Sequence, residues 1–216
     1  MSRSRRASPA TPVAVPGGGE APIVKWHDEQ TQQAPLVVEA AQLASSDEIE
    51  LALAGQVWAG RDQLAGRVSH WMSNHILLAV VDTSRWRVAI RPQVARLHIG
   101  QAAFVGRPPT AATPPDGFRV MPMDDLLWKY GLHGERSPGE LPSAYLDAPV
   151  ELLRMPQLSP GLLAPRHLTL MRLLGQETVT FEALRVRLGA NADDLLRDFV
   201  ALYLTRALAL RKPERG

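Results

Sequence analysis

Histidines are the first residues that could do chemistry, and their spacing is wrong for a metal. His70 and His75 are five apart. Two zinc ligands on one helix face need i, i+4, as in H-E-x-x-H. His27, His98, His133 and His167 show no ligand spacing either, so all read as surface or core-edge side chains. Cysteine is absent, which removes disulfides, thiolate metal sites and cysteine nucleophiles. Ser69-His70 and Ser143 lack a G-x-S-x-G elbow, and nothing marks an acid partner for a triad. Gly17-Gly18-Gly19 is followed by no G-x-x-x-x-G-K-[ST], and Gly55 and Gly60 complete no dinucleotide fingerprint. Asp124 and Asp125 are adjacent, so on a helix they diverge and cannot serve as a paired acid and base. Asp147 and Glu151 are separated by a proline-containing bend that leaves their geometry open. The carboxylates read as structural. No catalytic residue, cofactor or metal is expected, and an enzyme would require polar groups that converge only in the fold.

Binding chemistry is better represented. Aromatic and arginine side chains are favoured interface anchors. Trp71 and Trp86 fall at inward positions, hence core. Trp58 is out of phase with the Ile49 to Val57 stripe, so it meets a second layer or sits on an exposed apolar patch. Trp128 is displaced by its helical angle from Leu127 and Tyr130. Arg85, Arg87 and Arg91 would share the outer face of one strand. Trp58, Arg85, Arg87 and Arg91 are therefore the protein-contact candidates, against the plainer reading of a solvated arginine face.

The formal net charge of +2 gives no general pull toward nucleic acid or anionic lipid. Lysine occurs only at Lys25, Lys129 and Lys212. With so much arginine, alanine and leucine, this composition suggests a GC-rich bacterial genome. No window approaches the roughly 20 apolar residues of a membrane span. Arg3, Arg5 and Arg6 are followed by no apolar segment, so a secretory signal is not expected and a cytoplasmic location is.

Elements must position these residues. Residues 1–22 are rich in Pro, Gly and Ser and read as a disordered arm. A mixed α/β body is expected over 23–107, opening with the apolar run Pro35 to Val38. Ile49, Leu51, Leu53 and Val57 alternate, which suggests a strand, though the alanine content leaves a helix open. Leu64, Val68, Trp71, Met72 and Ile76 form one helical stripe over Arg61 to His75. Ile76 to Val81, the turn triplet Asp82-Thr83-Ser84, and alternating Trp86, Val88 and Ile90 are the clearest hairpin signal. Val94 to Val105 adds another strand, bent at Gly100. A Pro/Gly-rich linker follows over 108–160, with one short helix at about 122–131. Pro122 starts that helix, Asp124 and Asp125 complement its dipole, and Gly131 or Gly134 ends it.

From Pro165 the pattern is helical. Leu168, Met171 and Leu174 form a stripe closed by Gly175, Thr180 caps a second helix that Gly189 stops, and Asn191 caps a third. Leu195, Leu196, Phe199, Leu202 and Tyr203 make the third helix's apolar face. In helix lengths and hydrophobic spacing the segment HLTLMRLLGQETVTFEALRVRLGANADDLLRDFVALYLTRAL resembles a winged-helix or helix-turn-helix module, assigned to 161–212. The resemblance implies DNA binding, with the third helix reading the major groove. The residues oppose it. Asp193 and Asp194 open that helix, Asp198 follows one turn later, and only Arg197 offsets them. Arg185, Arg187, Arg206, Arg211 and Lys212 could still hold a phosphate backbone.

The fold class expected is α+β: a small antiparallel sheet with packed helices, followed by a helical, winged-helix-like C-terminal module. The leading function is a non-enzymatic adaptor or regulatory subunit acting by protein–protein contacts in a bacterial signalling or macromolecular assembly. The alternative is a transcription regulator that uses the C-terminal module on DNA.

Overall fold

A computed structural model describes residues 43–133 and 140–211. The expected N-terminal arm, the Pro35 to Val38 run, Gly134 and Lys212 lie outside the described residues. Helix α1 (Ser46–Ala59) begins at a capping box. The Glu48 amide donates to the Ser45 hydroxyl at 3.2 Å, and the Ser45 amide donates to the Glu48 carboxylate at 2.7 Å. Two amides that a helix start would leave orphaned are thereby satisfied. The alternation that reads as a strand here thus belongs to a helix. Ile49, Leu53 and Val57 lie one turn apart on its buried side, while Leu51 is only half-buried.

Residues 61–75 depart from the expected helix. Only α2 (Arg61–Leu64) is helical, and β1 (Val68–Ser73) is a strand. Gly66 between them has φ 68°, a left-handed step that interrupts any helix. Trp71 is still in the core because alternate β1 residues Ser69, Trp71 and Ser73 are buried. Its indole N–H donates to the Gln56 side chain of α1 at 2.8 Å.

β1 turns into β2 (Ile76–Asp82) through Asn74 and His75, both at positive φ. That two-residue turn matches the twist of paired strands. The expected second hairpin joins β2 to β3 (Arg87–Ile90). The expected strand over 94–105 divides into α3 (Arg96–Gly100) and β4 (Ala103–Arg107), and β4 pairs with β1. β5 (Arg119–Pro122) pairs with β3, which completes an antiparallel sheet in the order β4-β1-β2-β3-β5. Trp71, Val81, Val88 and Ile90 enter the main core with Ile49 and Leu53. Val68, Val80 and Ala89 form a second, smaller cluster with Ala112 and Phe118. Ala112 closes a 3-10 turn, Pro109–Ala112, inside the proline-rich loop expected to be irregular.

The stretch 108–160, read as a linker with one short helix, carries β5, α4 (Met123–Leu132), α5 (Ala144–Asp147) and β6 (Val150–Leu152). Helix α4 lies at the centre of the packing, with Met123, Leu126, Leu127 and Trp128 buried. Gly131 does not end it. A Cβ built on Gly131 would stand 2.5 Å from the Ala201 Cα of α8 (Ala192–Leu204), so the two backbones touch there. Tertiary contact, rather than conformational freedom, explains this glycine.

α6 (Pro165–Gln176), α7 (Phe181–Leu188) and α8 follow as expected in number and order, and α6 runs past Gly175. Thr180 and Asn191 cap their helices through side-chain oxygens, and Gly189 ends α7 at φ 58°. Leu168 is exposed rather than part of the stripe. β7 (Leu208–Leu210) pairs with β6, and Val179 bridges to Val150. Leu53 of α1, Leu127 of α4 and Phe199 of α8 belong to one continuous core. Among the described residues no helix is long and apolar enough to cross a membrane.

The crossing of α4 and α8 leaves no room for a methyl group. Gly131→Ala should lower unfolding stability by about 1 to 3 kcal/mol, as overpacking against backbone does. Urea titration of both proteins measures it, and equal midpoints would show that the helices can separate freely.

Candidate partner-contact site

The β2–β3 connection is organised by Asp82. Its Oδ1 accepts from the Ser84 amide at 3.0 Å, the Ser84 hydroxyl at 2.5 Å and the Arg85 amide at 3.1 Å. This carboxylate therefore shapes the turn. The turn's last residue, Trp86, has φ 55°, a slot where glycine is the usual occupant of such loops.

A second left-handed slot meets it. α8 ends in a Schellman arrangement: the Arg206 amide donates to Tyr203 C=O at 2.9 Å, and the Ala207 amide to Leu202 C=O at 2.8 Å. Arg206 therefore occupies the position usually given to glycine, with φ 57°. Each such residue costs on the order of 1 kcal/mol in backbone strain. The Arg206 guanidinium lies over the Trp86 ring, 4.2 Å from its centroid. An exposed cation–π contact recovers roughly 0.5 to 1 kcal/mol.

Beneath the stack lies Asp124, with 0% of its surface exposed. Its carboxylate accepts from Trp86 Nε1 at 2.6 Å, from Arg154 Nη1 and Nη2 at 2.9 Å each, and from the Gln157 amide at 2.6 Å. Arg154 also donates to the Thr205 carbonyl, next to Arg206. Asp125 holds the same segment through the Ser159 amide at 2.7 Å and the Ser159 hydroxyl. The two adjacent acids both reach the segment 154–159, and neither is an exposed dipole partner. Their sequence signal, two acids after a helix-starting proline, does not distinguish capping from burial. Arg154 carried no sequence signal.

Trp58 meets a second layer. It stands edge-on to Tyr203 of α8, ring centroids 5.4 Å apart, with Arg61 4.5 Å over its ring. Arg85, Arg87 and Arg91 do not share a strand face. Arg85 sits in the turn, 72% of its side chain exposed and 3.9 Å from Asp82. Arg87 is exposed on β3, and Arg91 follows the strand's end, half-buried. Trp86 is half-buried. Arg85 thus lies in the turn beside Trp86, Arg87 faces the other side of the sheet, and Trp58 stays on α1.

The nucleic-acid candidates are engaged elsewhere. Arg185 holds Glu182 at 2.6 Å, Arg187 holds Glu177, Arg197 reaches Asp194 at 3.4 Å, and Arg211 donates to Thr178 at 3.1 Å. Asp198 does not extend an acidic outer face. It is buried, accepts from Arg166 Nη2 at 3.2 Å and stands 3.2 Å from His167 Nε2. The Ala164 amide donates to His167 Nδ1 at 3.0 Å. The neutral ring's proton then sits on Nε2, facing Asp198. Arg166 Nε also lies 3.1 Å from Nε2, but two donors cannot share that approach. We assign the proton by the backbone amide, which can only donate.

Glu50 is buried between Arg119 and Lys129, the latter 2.8 Å away. It lines a cleft of about 280 Å³ with Asp47, Leu51, Trp128 and Leu162. Half-buried His70 pairs its Nε2 with Ala111 C=O at 3.0 Å, which ties β1 to the 3-10 turn. Burial pushes the His70 pKa below the ordinary histidine value; the Ala111 carbonyl opposes this, and Arg107 adds to it. Among the described residues no three potential ligands group around a metal position. Comparison with protein-family models, curated proteins and solved structures finds no match.

Asp124→Asn should leave Arg154 without its counter-charge and cost about 3 kcal/mol, read as a lower denaturant midpoint at unchanged m-value. His70 sets a pH dependence. Its lowered folded value means the native state favours the neutral ring. That contribution is complete above the unfolded value of about 6.5 and is lost as pH falls through the folded one. Stability of the wild type should therefore fall below about pH 6.5 more than that of His70→Gln. Thermal melts across that range compare them, and parallel curves would remove His70 from the acid response.

Proposed function

We propose that this chain is a non-enzymatic adaptor or regulatory subunit that acts by protein–protein contacts in a bacterial signalling or macromolecular assembly. One observation carries the reading: α8 is an interior helix. Leu195, Asp198, Phe199, Val200, Ala201, Leu202 and Leu204 are buried along it. In a winged-helix register this would be the helix that enters the major groove. Packing against α4 and the core leaves mainly the first turn of the helix and Arg197 open. Its open end carries Asp193 and Asp194, which phosphate repels.

The surface supports the same reading. Arg185, Arg187 and Arg197 are held by carboxylates of their own module, so a polyanion would have to displace each acid. Leu153, Met155 and Val186 are exposed, and apolar side chains among arginines suit a protein interface. The winged-helix resemblance belongs to this proposal as a contact module.

Two measurements separate adaptor from DNA reader. Fluorescence anisotropy with duplex DNA should give no binding tighter than the non-specific range of about 10⁻⁴ to 10⁻⁶ M. Crosslinking and affinity purification of the full chain should return a partner protein in stoichiometric amount. Tighter DNA binding that weakens steeply between about 50 and 200 mM salt, with no protein partner, would replace this reading by the regulator.

A further inference from the structure

Four residues other than glycine adopt positive φ among the described residues: Asn74, His75, Trp86 and Arg206. Asn74 and His75 form the two-residue turn of the β1–β2 hairpin, which requires that conformation. Trp86 and Arg206 have no such shared turn. They are far apart in sequence, each occupies a slot suited to glycine, and they touch each other. Two local conflicts that meet in one contact point to a function for the contact.

The joint between these segments does not need Arg206. Asp124 already takes the Trp86 indole N–H and both terminal nitrogens of Arg154, and Arg154 already reaches Thr205. Arg206 is exposed, and no described carboxylate pairs with it. Arg119, Arg154, Arg166, Arg185, Arg187 and Arg197 are each met by one; Arg206 shares its lack of one with Arg61, which lies over Trp58. A guanidinium held against an aromatic plane is a preorganised fork, and its geometry matches a carboxylate.

The surroundings specify the occupant further. The Leu153 amide donates to Ala207 C=O at 2.7 Å, which places Leu153 beside Arg206 in space. Leu153 is 67% exposed and Met155 55%, and they bracket Arg154. Arg85, exposed in the turn, directly precedes Trp86, whereas Arg87 shares the sheet face of Ala89, opposite the core face on which Trp86 packs. The patch is therefore basic and apolar together. A nucleic-acid backbone wants a run of cations and gains nothing from Leu153 or Met155. A protein segment that sets acids beside apolar side chains uses both.

We infer that Arg206, stacked on Trp86 and flanked by Leu153, Met155 and Arg85, is the docking site for an acidic, partly apolar segment of a partner protein. This rests on the adaptor reading and names the chemistry of its contact.

A short fluorescein-labelled peptide alternating Glu with Leu is the probe, titrated into the full chain by anisotropy. The wild type should bind it, with affinity falling as salt rises. Arg206→Gly suits the left-handed backbone and removes only the fork; it should bind at least about tenfold more weakly with its melting temperature held within a few degrees. Leu153→Ser should also weaken binding, and a peptide with Gln in place of Glu should not bind. Absence of peptide binding at low salt, equal binding by wild type and Arg206→Gly, or stronger Arg206-dependent binding to duplex DNA than to the peptide would each overturn the site. A stoichiometric partner captured equally by wild type and Arg206→Gly would remove the site and leave the adaptor reading standing. Capture by neither would count against the adaptor reading itself.

Discussion

The carboxylate of Asp124 has no access to water, and much of the structure follows from that constraint. A buried charge is tolerated only when it is paired and hydrogen-bonded. Here the partners arrive from separate parts of the chain: Trp86 from a hairpin turn, Arg154 from the segment after β6, and the Gln157 amide from the same segment. Arg154 carries the constraint on to Thr205 at the end of α8. One anion thus fixes the sheet, α4 and the C-terminal helix against each other. Such pairs often add little net stability compared with an apolar replacement, because both ions must be desolvated. They do select one arrangement, since any other leaves the anion unpaired.

The same logic recurs at Glu50 and Asp198. Glu50 is buried 1% exposed between two cations, and Asp198 lies on the inner side of α8 facing His167 and Arg166. Acids that a sequence pattern places on the surface are here turned inward. That inversion changes what α8 can do. Asp193 and Asp194 remain at its open end, while the rest of the helix is packed, with Ala201 against Gly131 of α4.

Caps and turns were legible in the sequence; periodicity was ambiguous where two periods coincide. Thr180, Gly189 and Asn191 do what their types suggest, and the β2–β3 hairpin follows from an apolar run, a turn triplet and an alternating run. Ile49, Leu53 and Val57 satisfy both a period of two and a four-residue helical repeat, and only the Ser45–Glu48 box distinguishes them. Over residues 61–75 the helical stripe was accidental, because Gly66 and the strand partners of β1 outweigh it. The candidate site was legible only in part. Arg85 and Arg87 could be nominated from the sequence, and Arg206 only as a nucleic-acid residue. Arg85 and Arg87 flank Trp86 in the chain, whereas the contact of Arg206 with Trp86 is long-range and no local pattern encodes it.

Two helix ends in this chain show what the Arg206 position signifies. α7 and α8 both terminate in a left-handed residue, at φ 58° and φ 57°. At the first the residue is Gly189, and a Cβ there would find nothing within 4 Å. A Cβ at that point would carry the backbone strain with no neighbour beside it, so glycine is the favourable choice. At the second the residue is Arg206, with the Trp86 ring 4.2 Å away. The strain is equal in kind at both ends, so the difference lies in what the side chain meets. A cation–π contact of this exposed type about offsets the strain of one slot but not of two. Trp86 carries its own compensation, the 2.6 Å bond to buried Asp124 and its packing against the main core, so what distinguishes Arg206 is its exposure on that ring.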